Sequence, residues 1–203
     1  MIEDQYAPGS RKRVLKNIRG IKSKREMDDI ESRELLRTTS QLIDMYDSGH
    51  RFAAQDICFM HHAWLKDIYT WAGRYRSVTM SKGGFTFAAP AFIPRLMDEF
   101  ERKILSRYTP CQSLSEKELV GALSNVHVEL LLIHPFREGN GRVARLLASL
   151  MALQAGRPLL DFRSIKGKRK MEYFGAVQAG LSKDYQPMRK IFSDVIRRTL
   201  SAF

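Results

Sequence analysis

The chain is poor in cysteine. Cys58 and Cys111 are the only two in 203 residues, and neither sits in metal-ligand spacing. A disulfide framework is therefore not expected, and a reducing compartment is the simpler home. Long apolar runs are missing as well: nothing approaches the ~18 residues needed to span a bilayer. The opening stretch, MIEDQYAPGSRKRVLKNIRG, has no apolar core of the signal-peptide kind. A soluble protein is expected, with export by some other signal left open. Acidic residues are the third shortage. There are 22 Asp and Glu against 34 Lys and Arg, a net charge of +12. Such a surface suits an acidic partner: nucleic acid, an anionic membrane, an acidic protein or a polyphosphate. Helix-turn-helix and aromatic RNA-binding patterns are absent. The basic stretch from Arg11 to Lys24 nevertheless keeps a nucleic-acid-binding module as an alternative.

Length and composition fit one domain with a sizeable core. Residues 1–13 carry Pro8, Gly9, Ser10 and a basic cluster, and read as an extended or frayed lead-in. Apolar residues recur at helical spacing over 24–47 and again over 52–70, where Gly73 suits a stop. Residues 76–90 change character. Val78, Thr79 and Met80 precede Ser-Lys-Gly-Gly, and Phe85, Thr86 and Phe87 follow it, which predicts a short hairpin. Helical patterning returns over 91–107, 115–133, 142–155, 169–180 and 187–200. The expected fold is mainly α, with about six to eight helices and one small β-hairpin lying against them.

One stretch breaks the apolar rhythm. HPFREGNGRVAR, residues 134–145, places a histidine, a glutamate and three arginines between VELLLI and LLASLMAL. Pro135 should end the preceding helix at His134, because a residue before proline is pushed out of the α region. Gly139 and Gly141 let the backbone turn sharply and approach a ligand. A helix then starts near Arg142. Its free N–H groups and positive dipole end favour an anion, and Arg142 and Arg145 add two cations in the first turn. With no anion present that arrangement is unfavourable by roughly 0.3–1 kcal/mol per charge; phosphate reverses the sign. Glu138 beside such a nest suits Mg²⁺ carried by a nucleotide. His134 titrates near neutrality and is the natural general base. The blander alternatives are a histidine capping a helix end and Glu138 pairing with Arg142 at the surface. The loop matches neither a Walker loop nor a dinucleotide fingerprint.

His134-Pro135-Phe136-Arg137-Glu138-Gly139-Asn140-Gly141-Arg142-Val143-Ala144-Arg145 resembles the Fic family signature, His-x-Phe-x-(Asp/Glu)-Gly-Asn-Gly-Arg-x-x-Arg, at every specified position. Ile68-Tyr69-Thr70-Trp71-Ala72-Gly73 and Ser81-Lys82-Gly83-Gly84 resemble family segments leading into the active-site flap. The resemblance spans roughly residues 6–198 and treats residues 1–203 as a single Fic domain. It implies a helical fold with a β-hairpin flap. It also implies AMP transfer from ATP, with Mg²⁺, to a Ser, Thr or Tyr hydroxyl of a target protein, releasing pyrophosphate. By motif position His134 would deprotonate the hydroxyl, Phe136 would anchor the loop, and Glu138 would hold Mg²⁺. Gly139, Asn140 and Gly141 would form an anion hole, with Asn140 near the α-phosphate. Arg142 would hold the β-phosphate side and Arg145 the γ-phosphate. Ser81, Lys82, Gly83, Gly84, Phe85, Thr86 and Phe87 would clamp the target by strand addition. Tyr173 and Gln178 are candidates to face the base.

The kinase-like Doc branch carries lysine where this chain has Gly141, so the resemblance favours AMP transfer over phosphate transfer. Other nucleotide donors, GTP, UTP or a CDP-linked alcohol, stay open. The family's inhibitory motif, (Ser/Thr)-x-x-x-Glu-(Gly/Asn), is not found: its nearest look-alike, Ser40 to Met45, has Asp44 for Glu and Met45 for Gly or Asn. A separate small antitoxin supplying a glutamate to Arg145 is therefore expected. By resemblance the chain is a bacterial toxin or effector, acting in a bacterial cytoplasm or a host cytosol. DNA gyrase, topoisomerase IV subunits and host small GTPases are the candidate target classes.

Overall fold

The computed structural model describes residues 5–82 and 84–201, Lys82 through its backbone alone. Gly83, expected in the flap, lies outside the described residues. The described part of the basic lead-in, from Gln5 onward, is folded rather than frayed. Ala7 N–H donates to the Val14 carbonyl (2.9 Å), Tyr6 bridges Leu15, and Ala7, Val14, Leu15 and Ile21 are buried. The Pro-Gly-Ser turn folds the segment back so that these apolar residues reach the core.

Helix α1 (Lys24–Met45) starts at Ser23, whose hydroxyl caps the Glu26 N–H. It packs on α2 (Ala54–Leu65), where the Asp56 carboxylate accepts from the Ala53 N–H (2.8 Å). The predicted helix over 52–70 stops early, at Leu65. Ile68 N–H and Tyr69 N–H both turn back to the Leu65 carbonyl, and Tyr69 and Trp71 stack with ring centroids 4.4 Å apart. Packing of these β-branched and aromatic side chains outweighs their weak helical preference.

The hairpin pairs β1 (Ser81–Lys82) with β2 (Phe85–Thr86) antiparallel, in the register Ser81 opposite Thr86 and Lys82 opposite Phe85. Next come α3 (Ile93–Phe100), a π-helical turn over Glu101–Leu105 and α4 (Ser106–Tyr108), together filling the span predicted as one helix.

Helix α5 (Glu116–Ile133) is the axis of the molecule. Ser115 and Glu118 form a capping box at its start, and thirteen of its eighteen residues are buried. A helix apolar almost all round must be enclosed. Accordingly α5 is surrounded by α3, α6 (Asn140–Gln154), α7 (Lys168–Ala179) and α8 (Gln186–Leu200). Just beyond α7 the chain closes on α5 so tightly that a Cβ at Gly180 would meet Val128 Cγ1 at 2.2 Å. Among the described residues no helix is long and apolar enough to cross a membrane.

Candidate active site

The loop between α5 and α6 is built from rigid parts. His134 ends α5 in the left-handed region, φ 54° and ψ 59°, a conformation that costs a non-glycine residue about 1–2 kcal/mol. Its surroundings hold it there. Arg76 is fully buried and donates to the His134 carbonyl (2.8 Å), and its own N–H donates to the Pro135 carbonyl (2.8 Å). The same guanidinium donates to the carbonyls of Val78 (2.6 Å) and Ala88 (2.7 Å), at the two roots of the hairpin. One arginine thus ties the flap to the loop. The Phe87 ring lies on the His134 imidazole, centroids 3.9 Å apart at 15°. His134 Nδ1 sits 3.3 Å from the Leu131 carbonyl. A carbonyl only accepts, so Nδ1 carries the proton and the lone pair is on Nε2.

Phe136 is completely buried and stacks on His61, centroids 3.9 Å apart at 11°. Asn140 is buried and turned inward. Its Oδ1 accepts from the Phe136 N–H (2.8 Å) and its Nδ2 donates to the Phe136 carbonyl (2.7 Å). Both ends of the amide therefore brace the loop. Gly139 has φ 82°, and a Cβ there would stand 2.6 Å from Trp64 Cζ3, so only glycine fits. The first N–H groups of α6, on Asn140 and Gly141, have no acceptor within the helix, whose first bonds run from Arg142 and Val143 to the Gly139 carbonyl.

The two arginines differ. Arg142 donates to Glu31 Oε2 (2.6 Å) and to Glu138 Oε1 (3.3 Å), and lies over the Trp64 ring at 4.5 Å. Glu31, from α1, is buried; Tyr69 Oη donates to its other oxygen (2.8 Å). The expectation of two uncompensated cations therefore needs correcting: two carboxylates already balance Arg142. Arg145 has no carboxylate partner among the described residues. It lies over the Phe162 ring, 6.0 Å from its centroid, and near Tyr173, whose hydroxyl bonds His127 Nε2 (2.6 Å). Burial and the nearby Arg145 charge push His127 down to about 3. Burial likewise pushes His61 down to about 3, so both imidazoles are neutral props.

These groups open onto one cavity of about 980 Å³. His134, Glu138, Gly139, Gly141, Arg142 and Arg145 line one side, with Phe87 at the flap. Phe162, Ile165, Tyr173, Phe174 and Val177 form an apolar wall, and Arg163, Lys166 and Lys170 add cations. A wall of rings beside a cationic floor has the chemistry of a base and its phosphates. Gln178 is exposed and lies outside this wall; Val177 takes the place expected for it. Among the described hairpin residues only Phe87 reaches the cavity. Ser81 and Thr86 bond each other across the strands (3.0 Å). Nothing along the chain marks Arg76, His61 or Glu31, since a buried polar side chain reads like a solvated one until its partners are known.

Glu138 is exposed, and its Oε1 accepts from the Gly139 N–H (2.8 Å). Among the described residues no cluster of three or more His, Cys, Asp or Glu could hold a metal by itself. A lone carboxylate beside an anion nest fits an ion that arrives with phosphate oxygens and waters as most of its ligands.

The sequence pattern of the Fic/DOC family matches residues 51–152. A probable protein adenylyltransferase of Sinorhizobium fredii is 30% identical over 195 residues, covering 92% of this chain and 93% of that relative. A second, from Salmonella typhimurium, is 29% identical over 144 residues, 69% of this chain and 68% of the relative. Among solved structures, a Fic domain of a Bartonella quintana effector with bound ADP superposes at TM-score 0.76 with 25% identity, covering 96% of this chain and 95% of that one. The Bartonella tribocorum effector BepC, with bound AMPPNP, superposes at 0.77 with 23% identity, covering 96% and 97%, and shows the shared fold.

Proposed function

Because the chain belongs to the Fic/DOC family, we propose that it is a Mg²⁺-dependent protein adenylyltransferase that moves AMP from ATP to a Ser, Thr or Tyr hydroxyl of a target protein. We take the chain to act as one domain. The observation that carries the proposal is that His134, Glu138, Gly139, Gly141, Arg142 and Arg145 line one cavity. The relatives' names support it, as do the nucleotides bound in similar folds.

ATP would place its base against the wall of Phe162, Tyr173 and Phe174 and its phosphates over the start of α6. Arg142 would hold the β-phosphate side and Arg145 the γ-phosphate. The amides of Gly139, Asn140 and Gly141 would form the anion hole at the α-phosphate, Asn140 acting through its backbone because its side chain is engaged with Phe136. Mg²⁺ held by Glu138 would neutralise phosphate charge as pyrophosphate forms. His134 Nε2 takes the proton of the target hydroxyl, and the freed oxygen attacks the α-phosphorus. A bond from oxygen to the α-phosphorus forms as the bond to the bridging α,β-oxygen breaks, and pyrophosphate leaves. The hairpin would hold the target segment extended along its edge.

The role is that of a bacterial toxin or effector. Arg145, which lacks a carboxylate partner among the described residues, is where a separate inhibitory protein would place its glutamate. Gyrase and topoisomerase IV subunits are the target class to try first. Purified chain with Mg²⁺ and a panel of α-labelled nucleotides, incubated with candidate targets, tests the reading. Label from ATP on a hydroxyl side chain supports it, and label from GTP or UTP alone refutes the donor assignment.

A further inference from the structure

His61 has no part in the chemistry proposed above, yet it is completely buried against the loop that would perform it. The Gly73 N–H donates to its Nδ1 (2.7 Å), and an amide N–H can only donate. Nδ1 is therefore the lone-pair nitrogen and Nε2 carries the proton. Nε2 lies 3.1 Å from the Glu138 carbonyl, to which it donates. The opposite tautomer would set two donors face to face at Gly73 and two lone pairs face to face at Glu138. Phe136 stacked on the ring fixes its plane.

The bond to Glu138 matters because of what shares that peptide. A peptide unit is planar and trans, so its carbonyl and its N–H point in opposite directions. With the Glu138 carbonyl held by His61, the Gly139 N–H must face the other way, where the Glu138 carboxylate accepts it (2.8 Å). Glycine at φ 82° offers little resistance to rotation of the preceding peptide. Among the described residues no other group donates to that carbonyl. We propose that His61 is a positioning residue that sets the Glu138–Gly139 peptide plane, and so aims the Gly139 amide and the Glu138 carboxylate at a bound Mg²⁺–nucleotide. The inference rests on the nucleotide-binding reading. On ligand binding the carboxylate turns to the metal, and the Gly139 N–H is left pointing at a phosphate oxygen. His61 couples this geometry to the Gly73 turn, so two distant stretches of sequence set one amide direction.

Two substitutions separate the halves of the imidazole. In His61→Asn the amide oxygen can take the place of Nδ1 and keep the Gly73 bond while the donor to Glu138 is lost. In His61→Gln the amide nitrogen can take the place of Nε2 and keep that donor. Binding of Mg²⁺–AMPPNP is measured calorimetrically beside the thermal midpoint of each protein. The expected result is at least about tenfold weaker binding for Asn, from an unsatisfied buried carbonyl, and binding within about threefold of wild type for Gln. Equal losses in the two variants, or losses that follow the thermal midpoints, would overturn the proposal. If either variant fails to fold, the wild-type tautomer decides, read from long-range nitrogen–proton NMR correlations: a proton on Nε2 upholds the proposal and a proton on Nδ1 overturns it. A wild-type chain that binds no Mg²⁺–AMPPNP would instead overturn the nucleotide reading, and the tautomer would still decide for the peptide plane.

Discussion

Replacing Glu31 by Gln keeps the shape of the side chain and removes its charge. In the native fold one carboxylate oxygen accepts from Arg142 at 2.6 Å and the other from Tyr69 at 2.8 Å. Gln can still accept from Tyr69, so the loss falls on the arginine bond. Hydrogen bonds to charged groups contribute about 1.5–3 kcal/mol. One-sided removal of a fully buried pair costs about 3–5 kcal/mol. Arg142 keeps 25% of its side-chain exposure and has Glu138 within reach, so the lower range applies. A loss of about 2 kcal/mol follows, or roughly 4–8 °C in thermal midpoint for a domain of this size. Urea unfolding should show a lower midpoint at unchanged slope. Arg142→Gln and the double variant complete a cycle whose coupling should be about 1 kcal/mol or more. Additivity within about 0.3 kcal/mol would refute the view that Glu31 holds Arg142 in place.

Other outcomes can be checked with similar means. Gly139→Ala should cost at least about 2 kcal/mol in thermal unfolding, combining a positive φ with a clash at Trp64; a stability equal to wild type would contradict the close approach. Arg76→Met should leave the hairpin roots untied, seen as faster amide exchange over residues 78–88 with α5 still protected; unchanged exchange there would refute its role. The pH dependence follows from His127, whose value falls from 6.5 to about 3 on folding. The unfolded chain binds the extra proton in that window, so its stabilising contribution is complete above 6.5 and is lost at about 1.4 kcal/mol per pH unit below it. Urea midpoints should decline from pH 7 to pH 5, and less so in His127→Asn; equal slopes in the two proteins would contradict the assignment.

The helices were legible wherever apolar spacing ran unbroken, as in α5, α6 and α8. The early end of α2 was not, because packing of Ile68, Tyr69 and Trp71 decides it rather than local preference. The loop from His134 to Arg145 announced itself by charge and glycine. What could not be read there was the state of each group. Arg142 meets a carboxylate 111 residues away, and Asn140 folds its amide back on Phe136. Arg76 and His61 act largely through backbone groups far along the chain, the His134 and Glu138 carbonyls among them, and spacing holds no trace of such contacts. The folded lead-in was missed for the same reason: its few apolar residues matter only once the Tyr6–Leu15 bridge brings them to one face.

The central claim is that His134 serves as the base of a site shaped to hold a nucleotide's phosphates. Wild-type and His134→Ala chains, each with Mg²⁺, α-labelled ATP and a target protein, test it most directly when AMPPNP affinity is measured alongside. The account predicts label transferred by wild type and none by His134→Ala, with AMPPNP affinity kept within about threefold. Equal labelling by both proteins would contradict it, as would transfer of label from the γ-phosphate instead of the α.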